Sequence, residues 1–185
     1  HSVKQERESQ QADLEKQKRS RTKILEEVKG KKSDYLNQVK ELQQRQMEIN
    51  KIIATLESSR KKKGSKPISK DYGEFGKLQG KLPWPVKGNI VKSFGTNVHP
   101  VYKTKTINNG IDIETSEGAA ISAIADGEVA YTGVLGSFGN IVIVEHSDGF
   151  YTLYANLVKI SVKKGNKITT GNTVGVTGSS ASIDG

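Results

Sequence analysis

"FGNIVIVEHSDGFYTLYANL", Phe138 to Leu157, is the stretch on which the fold turns. Two runs rich in Val, Ile, Thr, Tyr and Leu flank Ser147-Asp148-Gly149. β-Branched and aromatic residues suit a pleated surface, and a short polar tripeptide ending in glycine suits a hairpin turn. Outward from this hairpin, "NIVKSFG", "GIDIE", "AAISAIADGEVAYTG" and "KITTGNTVGVTG" have the same character, each bounded by Gly, Asn or Asp. "VKKGNKITTGNTVG" carries two turn signals close together, which predicts very short strands at the corner of a barrel or sandwich. The reading is an antiparallel all-β region over residues 83–185, large enough to bury a core of its own. Phe138 and Tyr151 are expected to pack in its sheet.

The first third of the chain has a different period. Residues 1–63 contain no proline and one glycine, and Leu14, Val28, Tyr35, Leu42, Ile49 and Leu56 fall in a seven-residue phase interrupted once by Arg21. Leu25, Val39 and Ile53 take alternate positions of the second series, with Lys18, Lys32, Gln46 and Arg60 between them. So narrow a stripe suits a coiled coil rather than a globular core. Gly30 could end one helix, with Ser33 or Asp34 capping the next, but the phase runs unbroken from Val28 to Tyr35. One continuous helix of about 90 Å is expected, needing a partner helix to cover its seam. Gly64, Gly73, Gly76, Gly80 and Pro67 mark residues 64–82 as a linker.

Charge follows the same division. Residues 1–70 hold nineteen Lys and Arg against ten Asp and Glu, and the rest hold ten of each, so the whole net charge of +9 sits in the first part. "KKKGSKPISK" (Lys61, Lys62, Lys63, Lys66, Lys70) reads as a solvated linker, with phosphate or anionic lipid contact as the other reading. No aromatics are interleaved with these lysines, and no nucleic-acid partner is expected. The absence of cysteine excludes disulfides, thiolate metal sites and cysteine nucleophiles. No apolar run is long enough to span a bilayer. The opening His1-Ser2 reads as an internal fragment carrying a tag remnant.

The β region resembles the LytM-like, or lysostaphin-type, zinc endopeptidases of bacterial cell walls. The likeness rests on "PVKGNIVKSFG", "HPVY" (His99 to Tyr102), "EGAAISAIADGEVAYTG", "FGNIVIVEHSDGFYTLYANL" and "VKKGNKITTGNTVGVTGSS", five segments in the family's order. The resemblance implies a His-x-Gly-x-Asp motif, a Tyr-x-His-Leu motif and a His-x-His motif, which together bind zinc and handle the attacking water. Imidazole and carboxylate hold a tetrahedral zinc with one open position and lower its water's pKa. In "TINNGIDIE" Asp112 matches the family's Asp and Gly110 its Gly, but Asn108 stands where the zinc-binding His would be. In "LYANL" Asn156 stands in place of the catalytic His. The His-x-His segment would fall just past Gly185, so the domain is expected to be truncated at its C terminus. Asparagine is a poor zinc ligand and shuttles no proton near neutral pH. The resemblance therefore implies a degenerate domain: no catalytic residue, no metal ligand, no zinc. His99 and His146 are expected to be structural.

A coiled coil followed by a degenerate LytM-like domain resembles the EnvC-like murein hydrolase activators. What this implies is a non-enzymatic activator of a cell-wall amidase, acting in the periplasm or on the outer face of the envelope during cell-wall remodelling or division. The coiled coil would dock on a membrane complex of the FtsEX type. The former active-site groove, lined by Asn108, Asp112, Tyr154 and Asn156, would meet the amidase. Two other readings stay open: an active zinc-dependent peptidoglycan endopeptidase with unusual ligands, and a periplasmic adaptor of an efflux or secretion system.

Overall fold

The computed structural model describes residues 2–62, 73–98 and 105–178. His99, Tyr102, Lys63, Gly64, Lys66, Pro67 and Lys70 lie outside the described residues. Helix α1 (Ser2–Lys62) runs for 61 residues straight through Gly30. The unbroken heptad phase outweighs the cost of about 1 kcal/mol for one helical glycine. Arg60, Lys61 and Lys62 occupy its last turn, where cations complement the free carbonyls.

The chain divides into two compact units, His1–Gln44 and Arg45–Gly185. In the first, Leu14, Leu25, Val28 and Leu42 remain 45–58% exposed, as a stripe awaiting a partner should be. The second holds the end of α1 and all remaining elements. Among the described residues these are the single turn α2 (Gly73–Gly76), two 3-10 turns (Gly136–Phe138 and Ser147–Gly149) and ten strands: β1 (Asn89–Lys92), β2 (Gly95–Val98), β3 (Lys105–Asn108), β4 (Asp112–Glu114), β5 (Ala120–Ser122), β6 (Gly127–Val134), β7 (Asn140–Glu145), β8 (Tyr151–Ile160), β9 (Lys167–Ile168) and β10 (Thr173–Thr177).

Six strands form one sheet in the order β5-β10-β8-β7-β6-β9, with every neighbouring pair antiparallel. β7 and β8 are the predicted hairpin, closed by a short turn at Ser147–Gly149. Asp148 there takes φ 62° and Gly149 φ 82°, the left-handed backbone that Asp and Gly tolerate. Two smaller pairs, β1-β4 and β2-β3, carry the segments around Asp112. The all-β, antiparallel expectation holds, as does the long helix before it.

Alternation along β7 buries both of its faces. Val142 and Val144 join Val129, Tyr154, Leu157, Ile168 and Val174 in one cluster. Ile141 and Ile143 join Leu135 in another, against which Ile49, Ile52 and Leu56 of α1 pack. The end of α1 thus covers a sheet face, although the heptad reading had given the whole helix to a coiled coil. Spacing i, i+3, i+7 suits either role, because it describes one face of the helix and not what that face meets. The expected linker is also partly engaged. Phe75 of α2 stacks on His146 and Phe150, and the N–H groups of Glu74 and Phe75 donate to Asp148 and Ser147.

Candidate functional site

Asn108 ends β3 and Asp112 opens β4, with Asn109-Gly110-Ile111 turning between them. Asparagine side chains stabilise such turns by accepting from the backbone two residues on. Here the Gly110 N–H donates to Asn108 Oδ1 at 3.3 Å, and Asn108 Nδ2 reaches Asp112 Oδ1 at 3.5 Å. The other carboxylate oxygen faces Lys92, at 3.7 Å from Nζ. Lys92 and Asp112 are register partners across β1 and β4, so the sheet itself places this pair. Both are substantially exposed, which makes the pair worth little to stability, about 0.5 kcal/mol. Asn109 Nδ2 donates to Gln46 Oε1 of α1 at 2.6 Å.

Of the four expected groove residues, Asn108 and Asp112 meet and the other two are placed apart by a bulge. Tyr154 is buried, and its hydroxyl accepts from the Ile124 N–H at 3.0 Å. Asn156 is exposed and has φ 58°. Register with β7 passes from Val142–Tyr154 to Asn140–Leu157, so β8 carries one extra residue here. The extra residue sends Leu157, rather than Asn156, into the core beside Tyr154. Asparagine is among the few non-glycine residues that enter the left-handed region readily.

His146 is buried. Nδ1 lies 2.7 Å from the Asp126 carbonyl oxygen and Nε2 2.8 Å from the Thr152 hydroxyl, whose oxygen is 3.2 Å from that of Tyr154. Burial is the larger influence and lowers the imidazole's pKa from its ordinary 6.5. Both ring nitrogens are engaged in holding β8 to the loop before β6, a structural role as expected. Phe138 and Tyr151 pack with the second apolar cluster.

As a zinc site the donors around Asp112 fit poorly. Its carboxylate already has an ammonium and an amide for neighbours, and the amide oxygen of Asn108 is turned to a backbone N–H. Among the described residues no three His, Cys, Asp or Glu come together as ligands. Lys92 and Gln46 are the residues that sequence reading missed here. Nothing in "NIVKSFG" marks the first as a partner of Asp112, because β1 and β4 are joined across an intervening strand pair.

Residues 106–184 match the model of Peptidase family M23. That segment of the chain is similar to a LytM-type M23 domain. Over 107 residues, 57% of the chain, it is 36% identical to cell division protein DipM of Caulobacter vibrioides, covering 17% of that protein. Murein hydrolase activator NlpD of Escherichia coli is 35% identical over 102 residues, 53% of the chain and 25% of NlpD. DD-carboxypeptidase/endopeptidase Mpg of Neisseria meningitidis is 35% identical over 96 residues, 52% of the chain and 22% of Mpg. The chain thus spans a quarter or less of each of these relatives. Nothing in them supports the efflux-adaptor reading. No helix among the described residues is long and apolar enough to cross a membrane.

Proposed function

We propose that the M23 domain is a non-catalytic activator of a peptidoglycan amidase, working in the cell envelope during cell-wall remodelling or division, with α1 docking on a membrane complex of the FtsEX type. The observation that carries the reading is the state of Asp112: Lys92 and Asn108 flank the carboxylate where metal chemistry would need an imidazole beside it. Asn156, in place of the catalytic His, removes the proton carrier as well. A site so altered keeps its loops and polar lining, and those are what a protein partner would read. The likeness to an activator, NlpD, and to a division protein, DipM, supports the same reading. The domain is proposed to hold no zinc.

Dye release from labelled peptidoglycan by an amidase, with and without the chain, tests the proposal. The chain should raise release while releasing nothing alone, and Asn156→Lys should abolish the stimulation with the fold intact, since an unpaired charge desolvated at an interface costs several kcal/mol. Wild-type stimulation that survives Asn156→Lys would move the activating surface elsewhere. The likeness to Mpg favours a second reading, a zinc endopeptidase with unusual ligands. One zinc per chain, together with hydrolysis by the chain alone, would establish that reading and remove the first.

A further inference from the structure

In the first unit, α1 presents an apolar stripe that is exposed at Leu14, Leu25, Val28 and Leu42 and partly buried at Tyr35 and Val39. Leu25, Val28 and Leu42 are about half exposed along it. Lys18, Arg21 and Lys32 sit in the same stripe, and all three are exposed, with no ion pair among the described residues. Their positions are those of seam layers, where side chains point at a partner helix rather than at water.

No Asp or Glu occupies any position of the two seam series between residues 14 and 42. In the positions flanking the seam over the same stretch, Glu15 is the single acid, against Lys29 and Lys31. This settles what a second copy of the chain could offer. In either orientation and in any register, a seam cation would face an apolar residue, Gln, Tyr or another cation. Charges desolvated without a partner destabilise an interface, and like charges at its core exclude a match. The stripe is therefore built against self-pairing.

We propose that the occupant of this stripe is a helix of different sequence with acidic residues in its seam. Lys18 and Arg21 are successive layers, Leu25 and Val28 the next two, and Lys32 follows. The partner seam accordingly reads acidic, acidic, apolar, apolar, acidic. Arg and Lys reach carboxylates from such positions while their alkyl stems pack on the layers beside them, so the cations set the register and reject wrong partners. The inference concerns α1 alone and stands apart from the amidase reading.

Two synthetic helices with one shared apolar seam test it, one carrying Glu in the three layers that face Lys18, Arg21 and Lys32, the other carrying Lys there. Each is fluorescently labelled and titrated with the full chain. The Glu helix should bind at least about ten-fold more tightly at low salt, with the margin shrinking as salt rises. The triple variant Lys18→Glu, Arg21→Glu, Lys32→Glu should reverse the preference, with helicity and melting of the chain checked beside it. Equal binding of the two helices, binding by neither, or a preference that the triple variant leaves unchanged would overturn the proposal. So would sedimentation equilibrium showing a wild-type dimer that Val28→Asp dissociates, since that outcome makes a second copy the occupant.

Discussion

Nε2 of His146 lies 2.8 Å from the hydroxyl oxygen of Thr152, and the partner of the opposite ring nitrogen decides what that contact is. Nδ1 faces the carbonyl of Asp126, which can only accept, so Nδ1 carries the hydrogen of the neutral ring. Nε2 is then the acceptor, Thr152 donates to it, and the Tyr154 hydroxyl is free to donate to Thr152. Protonating the ring breaks this order by aiming a second donor at a hydroxyl already donating.

Stability should therefore fall on mild acidification. Because the folded pKa of His146 lies below its ordinary 6.5, the unfolded chain takes up the proton first as pH drops. The contribution is complete above about 6.5 and is lost between there and the folded pKa. Asp126, held below its ordinary 3.8 by the Thr170 N–H and hydroxyl, responds in a separate, lower window. Urea midpoints at pH about 7.5 and about 5.5 measure the effect, and His146→Gln, which keeps a donor and an acceptor, should flatten the difference.

Truncating the two parts of α1 should have unequal results. Leu56→Ala removes a half-buried side chain from the cluster around Ile141 and Ile143 and should cost about 1–3 kcal/mol of the β domain's stability. Leu25→Ala, in the exposed stripe, should change the stability of the chain by less than about 0.5 kcal/mol. Chemical denaturation followed through Trp84 and far-ultraviolet circular dichroism compares them.

At Asn156 the backbone, more than the side chain, limits what is allowed. Asn156→Gly should be neutral or nearly so, while Asn156→Val should cost about 1–2 kcal/mol, because a β-branched residue resists φ 58°. Thermal melts of both variants check this, and a costly glycine would mean that the amide itself holds the bulge.

The Tyr151 hydroxyl is buried with no hydrogen-bond partner among the described residues, and burial pushes its pKa up. Tyr151→Phe deletes the orphaned group and keeps the ring in the cluster it shares with Ile49, Ile52 and Leu56. The variant should match or exceed wild type by up to about 1 kcal/mol in urea melts.

What could be read in advance was whatever depended on local period. β-Branched and aromatic residues across 140–145 and 151–155, with a turn tripeptide between them, announced β7 and β8, and the heptad announced α1. What escaped was the choice of partner for a correctly read face. Ile49 and Leu56 lie in phase with Leu42, yet they meet a sheet, and nothing local distinguishes that surface from a second helix. Tyr154 and Asn156 enter the expected groove through the resemblance of "LYANL" to the family's Tyr-x-His-Leu motif, and not through any local period. The single inserted residue of β8, which buries Tyr154 and leaves Asn156 exposed, is visible only in the pairing with β7.

The turn after β3 also bears on how this protein ages. Asn109 precedes Gly110, a pair prone to losing ammonia when the glycine nitrogen, unhindered by any neighbouring side chain, attacks the asparagine amide. In the folded chain both reacting groups are already engaged: the amide nitrogen of Asn109 donates to Gln46, and the Gly110 N–H donates to Asn108. Tying both groups into other hydrogen bonds should slow a reaction that would otherwise place a new carboxylate three residues from Asp112. Gln46→Ala, which frees the amide, should therefore accumulate the deamidated form faster on storage, as mass spectrometry would record. Shelf life at this loop should thus depend on a helix residue 63 positions earlier in the chain.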